Sequence, residues 1–287
     1  MNQNRLVRTA LSAVAAACAV AALSARAAEE NAAGAAAEGA AVAGGTAGTV
    51  YPKEQYPYAE LVKRPLTLSA GLFQLDVPVG INLSKDQVGE PWFITPSIDL
   101  GLTDDLTVGL FHPVHGICLA GSSHGCREVY DDLGARATLG LFRDQASQLA
   151  VRASLFAESF SEDLYNASVG AAYKRTVGNA AFVLEADLDI GLNKRDVRPF
   201  NEQLALAAEG QLQAAEGLAM FARIGFTKPI DENFAFLPDY LIPVTFGVEY
   251  EPAPKLDLGA EFTFDNLLGD ENTADERELT VFLRKFF

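Results

Sequence analysis

Beyond its N-terminal leader the chain lacks any uninterrupted apolar run of the roughly 20 residues that a membrane-spanning helix needs, which excludes helical anchoring. Basic charge is also scarce. Lys and Arg number 22 against 38 Asp and Glu, for a net charge of −16. So acidic a chain repels a phosphate backbone, and nucleic acid is excluded as a partner. Cysteine is nearly missing: Cys18, Cys118 and Cys126 are all there are, and only the last two lie downstream of the leader.

What is present at the N-terminus is Arg5 and Arg8, an apolar run from Ala10 to Leu23, and then Ala25-Arg26-Ala27. This is the charged, apolar and small-x-small order of a secretory signal peptide, and it predicts residues 1–27 as signal with cleavage after Ala27. Cys18 does not make a lipoprotein site, because Ala15 stands where a large apolar residue is expected and the apolar run continues past the Cys. Cleavage removes three arginines and no acid, leaving 19 basic against 38 acidic residues, or −19. Residues 28–50 are mostly Ala and Gly with a few Glu, side chains too small to bury a core. Residues 28–65 are therefore expected to be a disordered periplasmic tether and lead-in.

From Leu66 onward apolar residues recur at every second position in segments of about ten, each bounded by Gly, Pro, Asp or Asn. The pattern predicts twelve strands near 66–77, 91–102, 105–114, 132–142, 148–157, 164–174, 179–192, 202–213, 217–227, 239–250, 255–264 and 278–287. Strands of 9–11 residues match a tilted crossing of a bilayer. The links alternate short and long, with tight ones such as Thr103–Asp105 and Pro252–Pro254 against long ones such as His115–Asp131 and Asp265–Arg277. The reading is an all-β transmembrane antiparallel up-and-down β-barrel of about 12 strands over residues 66–287, with both termini periplasmic. It places the protein in the outer membrane of a Gram-negative bacterium.

One parity of each strand is apolar, as in Trp92, Ile94, Pro96, Ile98 and Leu100, or Ala180, Phe182, Leu184, Ala186, Leu188 and Ile190. Lys285 is the one charge on that parity, near the chain end where it reaches the interface. Aromatics on the same parity fall at strand ends, Trp92, Tyr165, Phe226, Tyr240 and Phe264 outside and Tyr173, Tyr250 and Phe287 inside, as two interfacial girdles. The last strand, Glu278–Phe287, ends on an aromatic residue and is expected to address the barrel-assembly machinery and to close the barrel against 66–77.

Three motifs, Lys63-Arg64-Pro65-Leu66-Thr67-Leu68-Ser69-Ala70-Gly71, then Leu100-Gly101-Leu102-Thr103-Asp104-Asp105-Leu106-Thr107-Val108-Gly109-Leu110, then Asp132-Leu133-Gly134, resemble outer-membrane barrels grouped with the meta-pathway phenol-degradation family. The resemblance implies a transporter-like barrel, and the family name implies aromatic compounds as cargo.

The opposite parity carries the expected lumen charges. Arg136, Arg152 and Lys174 lie on three successive strands, while Glu185, Asp187, Asp189, Glu209, Glu249, Asp257 and Glu261 lie mostly on later ones, with Arg223 and Arg284 among them. Opposed basic and acidic walls would set a transverse field across a water-filled pore and select small polar solutes, cations over anions. The same charges, paired, would instead fill a closed structural barrel that displays acidic loops. Twelve strands lie between the eight that leave room only for side chains and the 16 that leave a channel. Gly134, Gly140, Gly170, Ala172, Ala205 and Ala207 on this parity leave space and favour a narrow pore.

Cys118 and Cys126 share one long outer loop, and in an oxidising compartment the expectation is a disulfide whose small ring contributes about 2.5 kcal/mol. A metal site with His115 and His124 is the lesser reading. Gly121-Ser122-Ser123-His124-Gly125 formally matches the G-x-S-x-G hydrolase pattern, but no helix follows it and no Ser lies on the lipid parity beside His112, so no enzyme, cofactor or catalytic residue is expected. The expected partners are outer-membrane lipid and small solutes.

Overall fold

The computed structural model describes residues 53–85, 88–120, 128–198, 200–230, 239–269 and 273–287. The leader, residues 28–52 and Cys126 lie outside them.

Period-two alternation produces β-strands throughout. They are β1 (Phe73–Asn82), β2 (Trp92–Ile94), β3 (Ser97–Thr103), β4 (Leu106–Phe111), β5 (Ile117–Ala120), β6 (Leu133–Arg143), β7 (Ser147–Ser159), β8 (Leu164–Val177), β9 (Ala180–Gly191), β10 (Glu202–Ala215), β11 (Leu218–Pro229), β12 (Val244–Ala253), β13 (Leu256–Asn266) and β14 (Thr273–Phe286). Twelve of these pair antiparallel in a closed circuit, β1-β3-β4-β6 and onward to β14, which returns to β1. β2 continues β3 past a break at Thr95-Pro96, and β5, from the following loop, pairs with β2. Closure runs in register from Gln74 opposite Phe286 to Asn82 opposite Glu278. With the ring closed, no strand edge of the circuit is left unpaired.

Large apolar side chains cover the outside, with Leu155, Phe182, Leu184, Phe246 and Val281 all more than half exposed. Their neighbours in sequence point inward, and at the end of β14 Phe282 and Phe286 are buried while Leu283 and Phe287 face out. The links Asp104-Asp105, Gly178-Asn179, Glu216-Gly217 and Pro254-Lys255 are two-residue hairpins at one rim, where Gly217 takes φ +69° and Lys255 φ +67°. The longer links lie at the other rim.

The first strand differs from expectation: it spans 73–82, not 66–77. The apolar parity changes within that stretch, from Leu66 and Leu68 to Phe73, Leu75 and Val77, and Gly71 sits at the change with φ +74°. Residues 53–72 turn into the barrel instead, as two 3-10 turns (Lys53–Gln55 and Leu61–Lys63) followed by a bend at 66–67 and a turn at 70–71. Side chains from β4, β7, β8, β10, β12 and β13, all round the circuit, bond to this segment, and only a chain inside the ring can meet them all. Each partner sits near the short-turn end of its strand. The segment read from composition as the end of a tether is therefore an internal lining of that rim.

Candidate functional site

The barrel interior is built on arginines that bridge strands. Asp99, Gly109 and Arg136 are register partners on β3, β4 and β6. With no side chain on the middle strand, the Arg136 guanidinium reaches across to Asp99, with Nε 2.9 Å from Oδ1 and a second bond to Oδ2. This forked geometry is the strong form of an Arg and carboxylate pair. It also lies over the Phe111 ring at 5.4 Å. Arg152, Gly170 and Asp187 repeat the arrangement on β7, β8 and β9, with Arg152 bonding Asp187 and Glu185. Arg223 on β11 shares Glu185 and lies 3.8 Å from Glu209. On the far side Arg284 binds Asp76 at 3.1 Å and Glu249 at 2.8 Å.

The inserted segment adds the deepest charge contacts. Arg64 donates to Asp257 Oδ2 at 2.7 Å and Oδ1 at 2.9 Å, to Glu249 Oε1 at 2.7 Å, and to the Tyr58 carbonyl. Burial works against its charge, but the bond to Asp257 and the charges of Glu249 and Asp257 outweigh it and hold Arg64 above the usual range. Lys174, itself buried, donates to the Arg64 carbonyl at 2.9 Å. Inside a closed ring the segment forms no strand, and several of its backbone N–H groups find side chains instead. Val62 N–H donates to Gln213, Leu66 N–H to Gln148 and Leu68 N–H to Thr107. Tyr56 packs with Leu68, Leu72 and Phe286, and burial pushes its phenol up to about 12.

Of the sequence-derived charges, Lys174, Asp189 and Glu261 form no salt bridge among the described residues, and Lys174 has the Arg64 carbonyl as its partner. Asp189 is bonded by its cross-strand partner Ser168, and Glu261 faces Thr280. The others named above come together, but as local pairs. The arginines are neutralised by acids one or two strands away, so Arg136 and Arg152 do not stand with Lys174 as a wall facing an acidic one. The space expected at Gly170 and Gly134 is also taken, while Gly140 keeps room for a Cβ, with its nearest neighbour at 3.6 Å. A Cβ on Gly170 would lie 1.9 Å from Asp187 Oδ1, and one on Gly134 would lie 2.6 Å from the Phe111 ring. Asp76, Asp99 and Arg64 were not read as site residues. Asp76 and Asp99 alternate with apolar neighbours on the same inward parity as the rest, so the signal was there. For Arg64 the signal was the parity change that follows it.

At the long-loop rim, Asp132 accepts from Val114 N–H at 2.7 Å and lies 3.0 Å from His112 Nδ1. His112 Nδ1 thus has Asp132 as its partner, and Gly121–Gly125 lies outside the described residues. Cys118 is buried on β5. The ring of His115 meets Phe93 edge-on at 4.9 Å.

No family model matches the chain, and no curated relative matches it. Among solved structures it is similar to the NanC porin (9% identity, TM-score 0.56, covering 74% of this chain and 99% of that one). It is also similar to the COG4313 outer membrane channel from Pseudomonas putida F1 (16%, 0.54, 77% and 97%) and to the KdgM porin (9%, 0.52, 75% and 99%). At these identities the likeness is one of fold, that of outer-membrane β-barrel channels.

Proposed function

We propose that the chain is an outer-membrane channel, or the pore of a transport path, for small polar or aromatic solutes, with cations favoured over anions. The observation that carries this is the two-faced wall: an apolar exterior around an interior of paired charges with carboxylates to spare, Asp189 and Glu261 among them. Charge inside a hydrocarbon layer is tolerated where it lines water. The fold shared with three channels supports the same reading. Export by residues 1–27, a Cys118–Cys126 disulfide and delivery by the assembly machinery through β14 and Phe287 belong to it. Ion flow through the folded protein in a planar bilayer, with a reversal potential of cationic sign, is the expected result; an anionic sign sinks it.

A second reading has its own observation, the inserted segment. A barrel lined at one rim by residues 53–72 serves as a closed structural or binding barrel displaying acidic loops such as 265–277. Heat-modifiable, correctly folded protein that passes no current under any condition decides for it.

A further inference from the structure

We infer that residues 53–65 are a gate across the short-turn rim, held shut by an ionic latch between Arg64 and the Glu249 and Asp257 carboxylates. This rests on the channel reading above.

The segment has two unequal halves. Residues 66–72 are tied into the wall. Leu66 and Leu68 N–H groups bond Gln148 and Thr107, Ala70 N–H bonds Asp104, and Gly71 and Leu72 exchange backbone bonds with Gly101. A Cβ on Gly101 would lie 2.1 Å from the Ser69 carbonyl, so this half is seated against bare backbone. Residues 56–64 cross the ring and are held mainly by side chains: Tyr56 and Tyr58 pack with Phe286, Gly217 N–H donates to the Ala59 carbonyl, and Lys174 donates to the Arg64 carbonyl. On β9 and β11 the apolar surface facing Leu61 and Val62 is Ala181 and Ala219, whose methyls offer little area. Polar bonds complete the hold, with Gln213 on one side and Arg64 on the other, and those of Arg64 are the ionic ones.

The latch is built to be released. Removing one partner of a buried ion pair ordinarily strands a charge, which keeps such pairs from opening. Here a second cation stays behind. Arg284 already donates to the same Glu249 Oε1 that Arg64 uses, at 2.8 Å, and is the register partner of Asp257. When Arg64 leaves, the wall carboxylates keep a counter-ion in place.

The test is single-channel conductance of the full-length protein in a planar bilayer. Arg64→Glu, which sets like charges against Asp257, is expected to give a several-fold rise in conductance or open time. Combining it with Asp257→Arg restores the closed behaviour. If Arg64→Glu folds, shown by heat-modifiable mobility, and conducts as the wild type does, the gate is overturned and the channel reading stands. If wild type and variant are both folded and both silent, the channel reading fails and takes the gate with it. Should Arg64→Glu not fold, the paired Glu249→Gln and Asp257→Asn substitutions, which remove attraction without adding repulsion, decide by the same measurement.

Discussion

Gly170 lacks a side chain where Arg152 and Asp187 must meet, and Gly109 does the same for Arg136 and Asp99. The residue in the middle strand of each trio sits directly beneath the ion pair, so any Cβ there pushes into the carboxylate. Gly170→Val is expected to destabilise the folded barrel by about 1–3 kcal/mol, the usual cost of overpacking. Gly210→Val is the matched control, because a Cβ there meets nothing within 4 Å and a β-branched residue suits a strand. Urea unfolding in detergent, followed by heat-modifiable mobility, measures both, and equal midpoints would refute the spacer role. Other inner glycines are covered from the neighbouring strand: Phe282 lies over Gly259, Phe221 over Gly247 and Phe93 over Gly80, each across a register pair. Phe282→Ala should therefore cost about 3–5 kcal/mol in the same assay. The sequence shows that these glycines face inward, but it does not show that they are occupied. Occupancy depends on register, which brings the cross-strand side chain to within about 5 Å.

Strands were legible because lipid on one side and a polar interior on the other enforce strict alternation, and the alternation survives in eleven of the twelve barrel segments, with shifted ends and, in 91–102, a break at Thr95-Pro96. The twelfth failed where alternation does not make a strand. Leu66, Leu68 and Leu72 alternate in the sequence, but residues 66–72 run through a bend and a turn on the inside of the wall, tied to it by Gln148, Thr107 and the Gly101 backbone. The loop joining β4 to β6 was legible only as long and cysteine-bearing, since its order comes from side-chain bonds between distant residues. Asp131 accepts from the Ser159 hydroxyl at 2.6 Å and from Ser161 N–H at 2.7 Å. Burial alone would raise this carboxyl, but the Ser159 and Ser161 bonds more than reverse that and hold it below its usual 3.8. His115 is held below its usual 6.5 by burial, against a smaller opposing pull from Asp132. Both groups bind protons less readily when folded, so both contribute stability that is complete above the unfolded values and is lost on acidification. Exchange protection of the Val114 and Ser161 amides, corrected for intrinsic rates, should fall in two steps, the first below pH 6.5 and the second below 3.8. Asp131→Asn should abolish only the second step. Protection that does not change with pH would show that the loop is held by something else.

For the whole molecule, net charge is what remains after pairing. The arginines of β6, β7, β11 and β14 neutralise Asp99, Glu185, Asp187, Glu209, Glu249 and Asp76 at short range, so their fields cancel within a few ångströms. Alternation placed these charges on one face of the wall, but which of them would cancel was not legible, because pairing runs across two strands and depends on the glycine between. Left over are the carboxylates Asp189 and Glu261, with Asp265 and Glu278 toward the long-loop rim, against the cation Lys174, which gives the interior a net negative sign in the channel reading. Such a preference acts through water and is screened by salt, with a Debye length of about 10 Å at 0.1 M and about 3 Å at 1 M. The cation preference measured from reversal potentials should therefore be largest in dilute KCl and shrink toward unity at 1 M. Glu261→Gln should weaken it at low salt while leaving the high-salt value in place. A preference that holds at the same value across that range would mean that solutes are sorted by the width left beside residues 53–72, and the unpaired carboxylates would then have no part in it.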